Sequence, residues 1–208
     1  MGLVLEWLPK RSFSMIQFLL SSLLVLLLLC PASARHLTYS VFVSGAEVGQ
    51  LNALCQYPND STRVISLVTR LSFPFREVVS DIRVRYHHNR LVFASSEKLI
   101  NNKLKEWVTI SWQNNRYRVD SDAASGKVIP SPIHFSVGLL YHFEPTNRST
   151  IFSERLGTYV TIKSVGQGAY EVKQPNGSVN TFRYLNGVCT EMETEMMASR
   201  VKFRLQEP

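Results

Sequence analysis

The 208-residue chain has three cysteines, Cys30, Cys55 and Cys189, and none carries the local signature of a catalytic thiol. It has no G-x-S-x-G element, so the strand–turn–helix nucleophile of an α/β-hydrolase is excluded. No run of five or more like charges occurs, which argues against a polyelectrolyte tail or a nucleic-acid-binding arm. After residue 29 there is no second apolar run of membrane length. Internal repeats and long linkers are also missing. A nucleophile, a base and an orienting group cannot be picked out together, so the sequence points away from an enzyme. A hydrolase with an unrecognised site is the remaining enzymatic alternative.

What is present begins with an export pattern. Met15 to Leu29 reads MIQFLLSSLLVLLLL, preceded by Lys10 and Arg11 and followed by Pro31 and Ala32-Ser33-Ala34. A basic region, a short apolar run and a small-x-small site form a secretory signal, with cleavage expected after Ala34. The run is shorter than the roughly 20 residues that span a hydrocarbon core. A retained N-terminal anchor is the alternative reading. Leu29, directly before Cys30, argues against bacterial lipidation at that cysteine. The expectation is a periplasmic or secreted chain with residues 1–34 as signal and residues 35–208 as one β-rich domain. Met15 is a second candidate start. Cleavage removes Lys10, Arg11 and Glu6 and takes the net charge from +7 to +6. It also leaves Cys55 and Cys189 as the two thiols, which could form one disulfide in an oxidising compartment.

From His36 the dominant period is two. Ile82, Val84 and Tyr86 alternate with Arg83 and Arg85, and Val108, Ile110 and Trp112 oppose Trp107, Thr109 and Ser111. Turn chemistry recurs about every ten residues, at Ser44-Gly45, Asn59-Asp60, Pro74, His88-Asn89, Asn101-Asn102, Asn114-Asn115, Ser125-Gly126, Gly166, Asn176-Gly177 and Asn186-Gly187. Asn and Gly tolerate the positive φ that tight hairpins require. The pattern predicts an all-β fold: one curved antiparallel sheet or half-barrel of about ten strands, apolar on one face. Arg116, Arg118, Arg200, Lys202 and Arg204 fall on the wet face. One segment, PSPIHFSVGLLY at 130–141, lacks alternation. With serine before Pro132 as a cap, it reads as a short helix on the concave face.

Two stretches carry a resemblance. TYSVFVSGAEVGQ is similar to the opening hairpin of exported β-rich domains of unassigned function from Gram-negative bacteria. YEVKQPNGSVNTFRYLNG is similar to their late hairpin, with an Asn-Gly turn and an Arg-Tyr strand before a glycine. The resemblance implies a half-barrel shaped like the periplasmic lipoprotein-localisation carriers. Glu195-Met196-Met197-Ala198-Ser199 stands where such domains have a Trp-Tyr-Asp turn.

Candidate sites follow from the one-faced strands. Tyr86, Phe93, Trp107, Ile110, Trp112, Phe135 and Leu139 are expected to line an apolar concavity. Arg83 and Arg85 would form a basic rim able to meet an anionic head group. The expected ligand is a lipid, another amphiphile or an acylated protein. The alternative is an envelope scaffold that meets a protein partner through a sheet edge or its basic face. No metal is expected: His87 and His88 point to opposite faces of one strand, and His134 and His142 do not complete a ligand set. No cofactor or nucleic-acid partner is expected either.

Overall fold

A computed structural model describes residues 34–196 and 199–206, so the signal-peptide reading of residues 1–34 lies, apart from Ala34, outside the described residues. Fourteen strands follow in order: β1 (Ala34–Val43), β2 (Ala46–Asn59), β3 (Thr62–Phe73), β4 (Arg76–His87), β5 (Arg90–Ile100), β6 (Lys103–Gln113), β7 (Arg116–Ser121), β8 (Lys127–Ile129), β9 (Thr150–Ser153), β10 (Thr158–Gly166), β11 (Ala169–Lys173), β12 (Val179–Leu185), β13 (Val188–Met196) and β14 (Ser199–Leu205). They make one antiparallel sheet in the order β8-β7-β6-β5-β4-β3-β2-β1-β14-β13-β12-β11-β10-β9. The first and last strands therefore pair at the centre, Val41 opposite Phe203, and the middle of the chain supplies both edges. The sheet is all-β and open, as its periodicity predicts, with fourteen strands in place of about ten. The additional strands are short pieces, such as β8 and β9, whose three and four residues are too brief to show a period.

The turns fall where the sequence puts them. Residues 88–89, 101–102 and 114–115 all have positive φ, as do Ser44-Gly45 and Asn186-Gly187. Positive φ at both central residues is the two-residue turn whose twist matches a hairpin. Alternation also sorts the faces. Arg116, Arg118, Arg200 and Arg204 are exposed and Lys202 is half-buried. On the outer face Lys202 pairs with Glu191 and Glu193, and Arg204 with Glu191.

The segment 130–149 departs from the expected helix. It is an extended strap with a single 3₁₀ turn, Val137–Tyr141, whose preceding Ser136 makes no side-chain cap. Its backbone partners lie on distant strands: Ile133 O accepts from Leu91 N at 2.8 Å, and Phe135 O from Phe152 N at 3.1 Å. Local helix signals lose to these long-range bonds.

The two thiols do not pair. Cys55 and Cys189 are free and buried. They sit on β2 and β13, with β1 and β14 between them in the sheet. Three strand spacings are about 14 Å, well beyond the roughly 7 Å Cα limit of a disulfide. Burial pushes the Cys189 thiol up to about 12, which leaves it protonated and inert.

Candidate functional site

The curved sheet has two ends, and they differ. One end carries the β2–β3, β4–β5, β6–β7, β10–β11 and β12–β13 turns, and the strap crosses it. Tyrosines reaching in from the strands hold the strap in place. Tyr39 Oη donates to Tyr141 O at 3.3 Å and Cys189 O at 2.8 Å. Tyr184 Oη donates to Leu140 O at 2.7 Å, and Tyr170 Oη to Glu144 Oε1 at 2.9 Å. Tyr117 Oη accepts from Ile133 N at 3.1 Å and donates to Leu91 O at 2.7 Å. Arg35 Nη1 reaches His142 O at 3.2 Å. Arg63 stacks over Phe143 and Arg90 over Trp112, their guanidinium carbons 4.9 and 4.7 Å from the ring centroids. A tyrosine suits this task because its ring fills an apolar wall while its hydroxyl satisfies a carbonyl that would otherwise be buried without a donor.

At the centre of this closed end lies a buried polar chain. Tyr86 Oη donates to Ser136 Oγ at 2.7 Å; Ser136 Oγ donates to Glu154 Oε1, which also accepts from Gly138 N at 2.9 Å. Desolvation raises the Glu154 carboxyl above its ordinary range, opposed by these donors. Ser136 and Glu154 are 0% and 1% exposed, so this serine–carboxylate pair is sealed from any substrate. His142 is also buried, and burial, with Arg35 and His36 nearby, depresses its imidazole to about 4, so it is neutral at pH 7.

The other end, with the β1–β2, β3–β4 and β5–β6 turns, is not crossed by the strap; the β9–β10 turn covers its β7–β8 side, where Lys127 Nζ donates to Gly157 O at 3.0 Å. Inward-facing residues near the strap, such as Tyr39, Ile65, Leu91 and Ile110, are fully buried. Toward the other end Leu71 and Val201 are still buried, while Val43, Phe73, Val78, Ile82 and Ile100 are half-buried. Their register places them together: Phe73 opposite Arg76, and Val78 opposite Leu71 on one side and Ile100 on the other. Arg76 is inward here and its Nε is buried with no hydrogen-bond partner. Lys98 and Glu106 face the same way, paired at 2.5 Å. The described sheet forms a cup: crossed at one end by its own strap, with a half-buried apolar mouth carrying Arg76 and the Lys98–Glu106 pair at the other.

The sequence-predicted residues divide accordingly. Tyr86, Ile110 and Leu139 come together on the inner side but are sealed core, 1%, 0% and 1% exposed. Trp112 packs on Tyr117 at the closed end, and Phe135 lies on the strap beneath Arg148. Phe93 and Trp107 are on the outer face. A bulge pairs Arg85 with Phe93 and Tyr86 with Leu91, so Val92 is the extra residue and Phe93 turns outward, 5.9 Å below the Arg85 guanidinium. Trp107 opposes Glu97, outside Val108. Arg83 and Arg85 are outer-face residues in mid-sheet, Arg83 paired with Asp81 at 3.0 Å, and form no rim. Of the mouth residues, the sequence pattern marks Ile82 as facing inward with Val84 and Tyr86, and gives Phe73, Arg76, Val78 and Lys98 no mark of their own. Their signal was available in the strict alternation of β4, but which end the strap covers is a long-range property. Among the described residues, no cluster of three or more His, Cys, Asp or Glu could hold a metal, and no helix is long and apolar enough to cross a membrane.

The similarities to known proteins are to domains of unknown function. The model of one such domain, DUF6134, matches residues 39–206, and the chain belongs to that family. A solved structure titled as a beta-barrel-like protein of domain of unknown function DUF1849, from Brucella abortus, is 12% identical with a TM-score of 0.47. The alignment covers 83% of this chain and 95% of that one. No curated protein matches the chain.

Proposed function

We propose that this member of the DUF6134 family is an exported, non-enzymatic β-domain that takes an apolar or amphiphilic ligand, such as a lipid or an acylated protein, into the open mouth of its cup. The observation that carries the reading is the gradient of burial along the inner face, from sealed at the strap to half-buried at Phe73, Val78 and Ile82. An acyl chain laid on those side chains would complete the burial that the strap supplies at the other end. Arg76, whose Nε has no protein partner, stands beside it, where an anionic head group would gain a charge-assisted hydrogen bond, whereas the Lys98 ammonium is already neutralised by Glu106. The basic segment before the apolar run at 15–29 and the Ala32-Ser33-Ala34 site support export.

The scaffold alternative finds less support at the sheet edges. β8 has three residues, and Phe135 and Ser136 already cover part of β9. A hydrolase would need a reachable nucleophile, and Ser136 is closed off.

The test is binding of a fluorescent fatty-acid probe to the purified protein. Val78→Asp is expected to weaken probe binding by about tenfold or more, since it sets a charge in the apolar floor. Arg76→Ala should weaken binding of the anionic probe but leave that of a neutral long-chain alcohol within about threefold. A wild-type protein that binds neither probe, and carries no co-extracted lipid, would contradict the reading.

A further inference from the structure

The β3–β4 turn, Pro74-Phe75, presents an unusual residue. Phe75 is 100% exposed and has φ +63. A bulky side chain in the left-handed region is a rare backbone state, and such strain persists only where surrounding structure imposes it. Here the Pro74-Phe75 turn is braced by Asn101 from the neighbouring β5–β6 turn. Asn101 Oδ1 accepts from Glu77 N at 2.7 Å, Asn101 Nδ2 donates to Phe75 O at 3.2 Å, and Asn101 N donates to Glu77 O at 3.0 Å. The two turns are thus locked into one unit. The second turn leads directly into Lys103-Leu104-Lys105, all exposed, with Leu104 at 54%.

We infer that this unit is a membrane-docking prong: Phe75 and Leu104 enter the interface of a bilayer bearing anionic head groups, while Lys103 and Lys105 contact the phosphates. Arg70 and Arg76 add positive charge on the adjoining strands, against Glu47 and Glu77 at the same end. Apolar tips ringed by cations are the composition that an anionic lipid surface selects. Two isolated side chains offer far less than the area of about 1,200 Å² that a stable protein interface requires, whereas a bilayer accepts a prong of any shape. Exposed apolar residues elsewhere, such as Leu185, lack this flanking by lysines on both sides. The prong stands beside the open mouth, so docking would bring that mouth to the lipid surface. The inference does not depend on the mouth binding a ligand.

The full chain is mixed with vesicles of phosphatidylcholine alone or containing phosphatidylglycerol. The location of residue 75 is read from a Phe75→Trp variant, with the unsubstituted protein as fluorescence baseline. The expected result is a blue shift with phosphatidylglycerol vesicles and quenching by bromine-labelled acyl chains, weakened at high salt. In co-sedimentation, Phe75→Ser should bind about tenfold or more weakly than wild type. Lys103→Glu with Lys105→Glu should lose binding to phosphatidylglycerol vesicles. These comparisons hold even if the apolar run at 15–29 binds lipid, because that contribution is common to every variant. Emission of the Phe75→Trp variant that is unchanged by vesicles would overturn the proposal. So would a blue shift that grows with protein concentration in the absence of lipid, because that would place Phe75 against a second copy. The nearby groove of about 290 Å³ between Val48, Leu71 and Glu77 is where such a copy would seat it.

Discussion

Replacing Glu154 with alanine is expected to cost about 2–5 kcal/mol of folding stability, because it leaves two buried donors without an acceptor. Those donors are the Ser136 hydroxyl and the Gly138 amide, both at the start of the strap's 3₁₀ turn. Ser136 in turn receives the Tyr86 hydroxyl, so the loss passes to a third group. Glu154→Gln keeps one acceptor oxygen and should recover part of the loss. It also separates charge from geometry. Desolvation raises the folded carboxyl above its unfolded value, so the stability linked to its proton is fully present below about pH 4.5. That contribution is lost as pH rises through the folded value. The wild type minus Glu154→Gln difference in urea unfolding should therefore fall as pH rises from the acid side. His142 acts in the opposite direction. Its depressed value means stability present above about pH 6.5 and lost as pH falls toward 4. Because both variants retain His142, the difference isolates the carboxyl. A Glu154→Ala protein as stable as wild type would mean that the strap is not held as described.

The second large effect is expected at Gly49. The register pairs Val41 with Gly49 and Phe42 with Glu47, so Val48 is an extra residue and β2 carries a bulge there. A Cβ added at Gly49 would lie 1.9 Å from Arg70 O and 2.9 Å from Arg70 C, backbone atoms that cannot rotate away. Gly49→Ala must push the two strands apart or flatten the bulge, at about 3 kcal/mol. Gly166→Ala is the control, since its nearest neighbour is the Ala169 Cβ at 4.0 Å, and it should change stability by less than about 0.5 kcal/mol. Urea unfolding of the two variants side by side checks this. Equal stabilities would show that the bulge is soft. Because Val43, Leu71 and Phe73 lie near this bulge, Gly49→Ala should also distort the mouth.

The contrast between these sites shows what the sequence makes legible. Each hairpin turn is encoded by the two or three residues that form it, so Asn101-Asn102 or Asn186-Gly187 can be read directly. Strand faces are readable while the period holds, as for Val84 and Arg85. They are lost at a bulge: counting by two from Leu91 puts Phe93 inside, but the extra Val92 turns it out. Trp107 was assignable by the same counting, from Val108 inward. The strap is the least legible element. Ser131-Pro132 and the spacing of Phe135, Leu139 and Leu140 look like a helix start. The conformation is instead set by Tyr39, Tyr117, Tyr170 and Tyr184, which come from four strands far away in sequence. The mouth escapes local reading for the same reason, since an uncovered end is defined only by what covers the other one.

An amphiphile bound in the proposed mouth would leave the closed end to the strap, which Tyr39, Tyr117 and Tyr184 hold there. Photolabelling tests this most directly, with a diazirine-bearing fatty acid and peptide mapping of the attachment sites. Saturable labels are expected on the inward residues of 71–82 and on Ile100, competed by unlabelled fatty acid, with 133–143 unlabelled. Labels concentrated on 133–143, or on the outer face around Arg83 and Arg85, would contradict it.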